Sequence, residues 1–387
     1  MFRISDILKK HKKGPDGQPP KKRPEEIIIM PDKGQGVSPE QKKKPEDVII
    51  MDKSATAPAA PVTGSIKLSV EKAFTATAKA LISKAINQEM SKEADAQANF
   101  LYDEVLAAVK HFYTSDLKKE AGFLASINSL TEKSMPILAE HGHIIQWRCL
   151  LDYPGSEDYL YRHSVNVYFL SLAVGMEFGL DKDRLIDLGT GAFLHDIGLA
   201  GIDERMKAAK LEKDEHDNIK KHPDFGVDIM VRSTKDINEK VLKIIKQAHE
   251  RADGSGYPEG LVADDINILA QIVGLVDVYE ALTHRRPYRP RYTPLEALDI
   301  ILKNKKLFGP KVIKSLINSV GVYPVGTPVL LSSKETGVVT VNHPDLLFRP
   351  VVSIVSDPYG DELTEPKDID LTSHPILYIE DCVKEKA

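Results

Sequence analysis

The stretch A-F-L-H-D-I-G at 192–198 decides how this chain is read. Three apolar residues run into the vicinal pair His195-Asp196 and stop at Gly198. Two polar side chains therefore fall at the end of a buried helix, where each must be hydrogen-bonded or coordinated. Similar groups recur on either side: His163 in Y-L-Y-R-H-S-V-N-V, His222 in K-K-H-P-D-F-G, His249 in Q-A-H-E-R-A-D-G-S-G-Y-P and Asp277 in V-G-L-V-D-V-Y-E-A-L-T. Each lies on or at the end of an expected helix. Such a framework holds imidazole and carboxylate ligands at fixed angles, and one aspartate can use both oxygens to bridge two cations. Nitrogen and oxygen ligands without thiolates suit iron, manganese, magnesium or zinc and exclude an iron–sulfur centre. No short metal motif joins the six positions, so taken alone His163 or His222 reads first as a hydrogen-bonded core or surface residue, and the vicinal His195-Asp196 pair is the exception.

The surrounding pattern is helical. Segments 70–90, 96–113, 157–178, 182–195, 215–231, 237–251 and 266–282 carry helix-forming residues, and clusters of Gly, Pro and Asp at 154–155, 253–258 and 286–290 separate the later ones. After Gly321 the texture changes to short β-branched runs, G-V-Y-P-V-G-T-P-V-L-L, G-V-V-T-V and P-V-V-S-I-V, with a further strand expected at 375–380. The reading is a mainly α chain: a helical bundle preceded by an N-terminal helical region and closed by a small C-terminal β-rich subdomain. The expected divisions are 1–65, mostly flexible; 66–150, a helical regulatory region; 151–320, the chemistry-bearing bundle; and 321–387, the β-rich part. Within the first, P-E-E-I-I-I-M-P-D-K at 24–33 and P-E-D-V-I-I-M-D-K at 45–53 form a near-repeat that reads as edge strands, docking segments or chance duplication.

Composition narrows the function classes. The chain has 387 residues, 42% hydrophobic and 28% charged, enough apolar material for a sizeable core and too much for a fully disordered protein. Cys149 and Cys382 are its two cysteines, so neither a disulfide framework nor a thiolate metal cluster is available. A formal net charge of −5 argues against a general polyanion binder, and DNA binding is not expected. No apolar run approaches the roughly 18 to 20 residues of a membrane span, and a cytoplasmic protein is the expectation.

Three motifs in order, H-D-I-G at 195–198, H-E-R-A-D-G-S-G-Y-P at 249–258 and D-V-Y-E-A-L-T-H-R-R-P-Y-R at 277–289, resemble the HD-GYP subgroup of the HD metal-dependent phosphohydrolases over roughly residues 150–320. The resemblance implies a helical HD-type bundle with two divalent cations, iron or manganese first and magnesium or zinc as alternatives. It also implies phosphodiesterase activity on cyclic di-GMP, giving linear diguanylate and in some relatives GMP. Carried across by motif, His163, His195, Asp196 and Asp277 match the ligands shared by HD enzymes, with Asp196 as the catalytic bridge. His222 and His249 match further ligands. A cation pair would stabilise the charged phosphate oxygens of the transition state and activate water. Arg286 and Arg289 are placed to grip the second phosphate. Asp253, Gly254, Gly256, Tyr257 and Pro258 match the loop motif, in which Tyr257 either stacks on guanine or anchors the loop.

The chain departs from the family pattern at three positions. Leu199 stands where a phosphate-reaching lysine is usual, Ala248 replaces the first of two adjacent histidines, and Tyr159 occupies the place of the acidic residue of trinuclear members. A third metal is therefore not expected. Leu199 and Ala248 keep alive one alternative, a weak or inactive HD-GYP protein that binds a nucleotide or a signalling partner; a phosphohydrolase for another nucleotide is a second, because the HD ligands select phosphorus chemistry more firmly than they select guanine. A homodimer is a further expectation.

Overall fold

The computed structural model describes residues 92–117, 120, 122–151, 159–201, 218–285, 290–343 and 345–383. The expected flexible segment at 1–65, its near-repeat, the 70–90 helix and both Arg286 and Arg289 lie outside the described residues.

Nine α-helices precede a β-sheet among the described residues: α1 (Lys92–Thr114), α2 (Phe123–Arg148), α3 (Tyr159–Phe178), α4 (Lys182–Leu194), α5 (His222–Ser233), α6 (Glu239–Gln247), α7 (Ile268–Thr283), α8 (Pro294–Lys303) and α9 (Pro310–Val320). The mainly α reading with a small β-rich end is thus what the chain adopts. The helix starts follow local chemistry. Asp181, Asn238 and Asn267 each accept a hydrogen bond from a first-turn amide, and Thr293 with Glu296 forms a reciprocal capping box.

Helix α3 is central. It packs against α1, α4, α7 and α9 and buries residues on all sides, among them Val165, Val167, Tyr168 and Leu172. A helix apolar all round belongs in the core of a bundle, and α7, with Leu269, Ile272, Val276 and Tyr279 buried, is its partner. Gly198 shows how tightly the pieces meet. A Cβ there would lie 1.9 Å from the His222 carbonyl oxygen, so only glycine lets the short 3-10 turn Ile197–Gly201 seat against α5.

Two ends differ from the sequence expectation in ways that matter for the site. The helix expected at 237–251 stops at Gln247, which releases His249 into a turn. The helix expected at 215–231 is broken by a turn at 220–221, after which α5 starts at His222 and places that imidazole at a helix start. Helices α2, α8 and α9 were not singled out by periodicity. Pro136 inside α2 and prolines at the first turns of α8 and α9 interrupt the pattern that a sequence reading follows.

The sheet comprises β1 (Pro328–Leu331), β2 (Thr336–Val341), β3 (Val351–Ser356), β4 (Glu362–Asp370) and β5 (Ile379–Cys382), antiparallel in the order β4-β3-β2-β1-β5. Strand β4 was not foreseen. Its E-L-T-E-P-K-D-I-D sequence carries Pro366 and charged residues, chemistry suited to an edge strand. The strand expected at 375–380 begins at Ile379, because the Arg349 guanidinium donates to the carbonyls of Leu371, His374, Pro375 and Leu377 and fixes the preceding residues as a loop. Trp147 of α2 packs where a side chain on Gly326 would stand, joining the helices to the turn before β1.

Candidate metal centre

Three helices and two turns that follow helices bring the six expected side chains together. His163 comes from the first turns of α3, His195 and Asp196 from the end of α4, His222 from the start of α5, His249 from the turn after α6, and Asp277 from the middle of α7. His163, His195, Asp196, His222 and His249 are buried.

Asp196 lies at the middle. Its Oδ2 is 3.7 Å from His163 Nε2 and 3.6 Å from His195 Nε2, while its Oδ1 is 3.2 Å from His222 Nε2 and 3.5 Å from His249 Nε2. Two triads result, His163-His195-Asp196 and Asp196-His222-His249, each with its ligand atoms within 4.8 Å of one another. Asp277 spans the pair from the other side, with Oδ1 3.3 Å from His163 Nε2 and Oδ2 3.5 Å from His249 Nδ1.

The hydrogen bonds behind these atoms set the tautomers. Nδ1 of His195 donates to the Ala192 carbonyl and Nδ1 of His222 to the Ile219 carbonyl, both at 2.8 Å. A carbonyl only accepts, so the neutral ring in each case carries its lone pair on Nε2, the atom that faces Asp196. His195 Nε2 and Asp196 Oδ1 are buried and make no hydrogen bond within the protein. Buried acceptors converging without a donor fit a bound cation. His222 Nε2 and His249 Nε2 also approach to 2.9 Å, a separation that a shared proton or a cation has to mediate.

The electrostatics agree. Burial disfavours the Asp196 carboxylate, yet the imidazoles packed around it, His195 first and then His222 and His249, hold it well below the usual carboxylate range. Burial likewise opposes ionisation of Asp277, and the His163 hydrogen bond with the neighbouring imidazoles outweighs it, keeping that carboxyl at about 2. His249 goes the other way, since desolvation lowers it and favours the neutral, metal-ligating ring.

The loop motif folds back over this centre. The Tyr257 ring lies parallel to His249, 5.0 Å between centroids and 5° between planes, and edge-on to His222. One face of the tyrosine is therefore taken by a histidine of the site. Asp253 accepts from Ser255 and pairs with Lys306 at 2.9 Å, Gly254 has φ 79°, and a Cβ on Gly256 would meet the Arg251 amide at 2.4 Å. Pro258 follows Tyr257 through a cis peptide. Leu199 is half-buried directly after the glycine, Ala248 is fully buried beside His249 with no donor atom to offer, and Tyr159 stacks on His163 at 5.7 Å.

Sequence reading missed the groups that brace the site. Glu280 is fully buried and accepts from His163 Nδ1 at 2.5 Å, and His284 lies 3.1 Å from its other oxygen. Glu250 accepts from the amides of Glu259, Gly260 and Leu261 and pins the motif loop. The signal for Glu280 was present in D-V-Y-E, three residues after Asp277 and hence on the same helix face.

Comparison with known proteins agrees with this architecture. Residues 135–312 match the HD domain family, and residues 328–387 match the KOW domain associated with the HD domain. The HD match begins inside α2. A cyclic di-GMP phosphodiesterase of Thermotoga maritima is 31% identical over 254 residues, covering 64% of this chain and 67% of that protein. A cyclic di-GMP phosphodiesterase of Pseudomonas aeruginosa is 33% identical over 201 residues, 51% of this chain and 48% of that protein. The chain thus spans about half the length of the Pseudomonas relative. Among solved structures, an HDG"Y"P protein from Bdellovibrio bacteriovorus shares the fold, with a TM-score of 0.50, 20% identity, and coverage of 62% of this chain and 76% of that one. No helix among the described residues is long and apolar enough to cross a membrane.

Proposed function

This chain belongs to the HD superfamily of metal-dependent phosphohydrolases, as an HD-GYP-like member, and on that premise we propose that it hydrolyses a phosphodiester bond of cyclic di-GMP to give linear diguanylate. The observation that carries the reading is the sharing of Asp196 between two buried His/Asp triads. His163, His195 and Asp277 would hold one divalent cation with Asp196, and His222 and His249 the other. Bound there, an iron or manganese pair supplies Lewis acidity toward phosphate oxygens and a more acidic water.

The chain's own part is to orient and exclude. Main-chain carbonyls lock the rings of His195 and His222, so no reorganisation is needed when ligand arrives. Tyr257 covers His249 and keeps water off its ring face. Arg286 and Arg289, which follow α7, are proposed to grip the second phosphate. The proposed division of labour assigns 151–320 to chemistry, with helices before it as the regulatory part and the sheet as an accessory.

Purified protein loaded with manganese or iron should release linear diguanylate from cyclic di-GMP, in preference to its guanine–adenine analogue and to linear nucleotides. Asp196→Ala should abolish release. No turnover with either metal sinks the catalytic reading, and an equal rate on all three substrates overturns the substrate assignment. Leu199 and Ala248 favour a second reading, in which the site binds the cyclic dinucleotide and turns it over slowly or not at all. Saturable binding without product distinguishes it.

A further inference from the structure

Helix α1 lies outside the residues matched by the HD family, yet it ends a chain of buried hydrogen bonds that reaches a site histidine. The Tyr102 hydroxyl donates to Asn166 Oδ1 at 2.8 Å. Asn166 Nδ2 donates to Glu280 Oε1 at 3.1 Å and to the Cys149 carbonyl at 3.3 Å. Glu280 Oε2 accepts from His163 Nδ1 at 2.5 Å, and the Nε2 of that ring faces Asp196 and Asp277. Tyr102, Asn166, Glu280 and His163 are all at most 3% exposed.

The direction of this chain is fixed by chemistry. A carbonyl and a carboxylate only accept, so the amide nitrogen of Asn166 must face Cys149 and Glu280, and its oxygen must face Tyr102. The tyrosine hydroxyl is then obliged to donate. With both remaining sides of Asn166 satisfied, Glu280 is held where it accepts from Nδ1 of His163, which orients the ring and leaves Nε2 for the site. The outer end of the chain is held too. The Arg148 guanidinium lies 4.3 Å over the Tyr102 ring and pairs with Asp103 at 2.7 Å and with Asn99 at 2.6 Å, both on α1.

We propose that Tyr102 is a positioning residue for the metal centre, acting through Asn166 and Glu280 on His163, so that α1 sets the cation affinity of a site to which it contributes no ligand. The inference rests on the metal reading above and deepens it, by naming the part of the chain before the family-matched region through which that affinity is tuned. Tyr168 provides the matched control. It is equally buried on α3, and its hydroxyl contacts Ser134 at 2.9 Å and Thr131 at 3.3 Å, away from the ligands.

The test measures manganese binding by full-length wild type, Tyr102→Phe and Tyr168→Phe, by competition with a chromophoric chelator, alongside thermal unfolding. Each variant removes one buried hydroxyl without changing packing volume, so both should lose comparable thermal stability. Tyr102→Phe should bind manganese about tenfold more weakly, at the low end of the roughly ten- to hundredfold effects of outer-shell partners. Tyr168→Phe should stay within about twofold of wild type. Equal affinity in Tyr102→Phe and wild type, or an equal loss in both variants, overturns the proposal while leaving the metal reading intact. A wild type that takes up no manganese overturns the metal reading itself, and the relay with it.

Discussion

The two triads that share Asp196 are built differently. On one side, His163 and His195 are backed by fixed acceptors, a fully buried carboxylate behind the first and a main-chain carbonyl behind the second. On the other, His222 keeps a carbonyl behind it, but His249 stands in a turn, leans on the Tyr257 ring and has Ala248 where a second imidazole is usual in the family. The difference teaches that the deeper half is a preorganised cation site, whereas the outer half depends on a loop held by Glu250 and three backbone amides. Affinity should therefore be unequal, with the first cation bound by the deeper triad.

Removing the shared group should erase the distinction altogether. In Asp196→Ala both cations should be lost, read as metal content of the purified protein; retention of either one would mean that the triads do not depend on a common bridge. His249→Ala should separate them, lowering the manganese content from two ions to one while the tighter ion stays. If that variant still holds two ions, the outer triad has been drawn with the wrong residue. Glu280→Gln should weaken the tighter ion by roughly ten- to a hundredfold and leave the outer one nearly unchanged, because His163 is the expected ligand that hydrogen-bonds to this carboxylate. An effect confined to the weaker ion in the same titration would reverse the assignment.

The smallest expected effect is on the metal-free protein in acid. The Asp277 carboxyl sits at about 2 against an ordinary 3.8, so its folded form binds a proton less readily than its unfolded form. Its stabilising contribution is complete above the ordinary value and is lost as pH falls from there through about 2. Unfolding free energy measured across that window should fall less steeply in Asp277→Asn than in wild type. Identical slopes would show that the carboxyl is not held low.

Much of this site was legible before the fold was known, for a physical reason. His195 and Asp196 interrupt an apolar run, and a buried polar pair has to be hydrogen-bonded or coordinated. The other ligands could be placed only through the resemblance, since His163 and Asp277 are separated by more than a hundred residues and converge through packing of α3 on α7. What stayed hidden was the bracing. Glu280 and Asn166 look like ordinary polar residues on helices until α3, α7 and α1 bury them against one another. The fold was readable where periodicity ran unbroken, as in α3 and α7, and failed where proline sits inside or at the start of a helix, as in α2, α8 and α9. Strand β4 escaped because an edge strand carries charge where alternation is sought.

The arrangement stands or falls on two cations sharing one aspartate. Anomalous scattering from manganese-loaded crystals measures this most directly. Two peaks should flank Asp196, one within coordination distance of His163 and His195 and the other of His222 and His249. A map with no peak between these side chains, or with a single ion that leaves one Asp196 oxygen without metal, would contradict it.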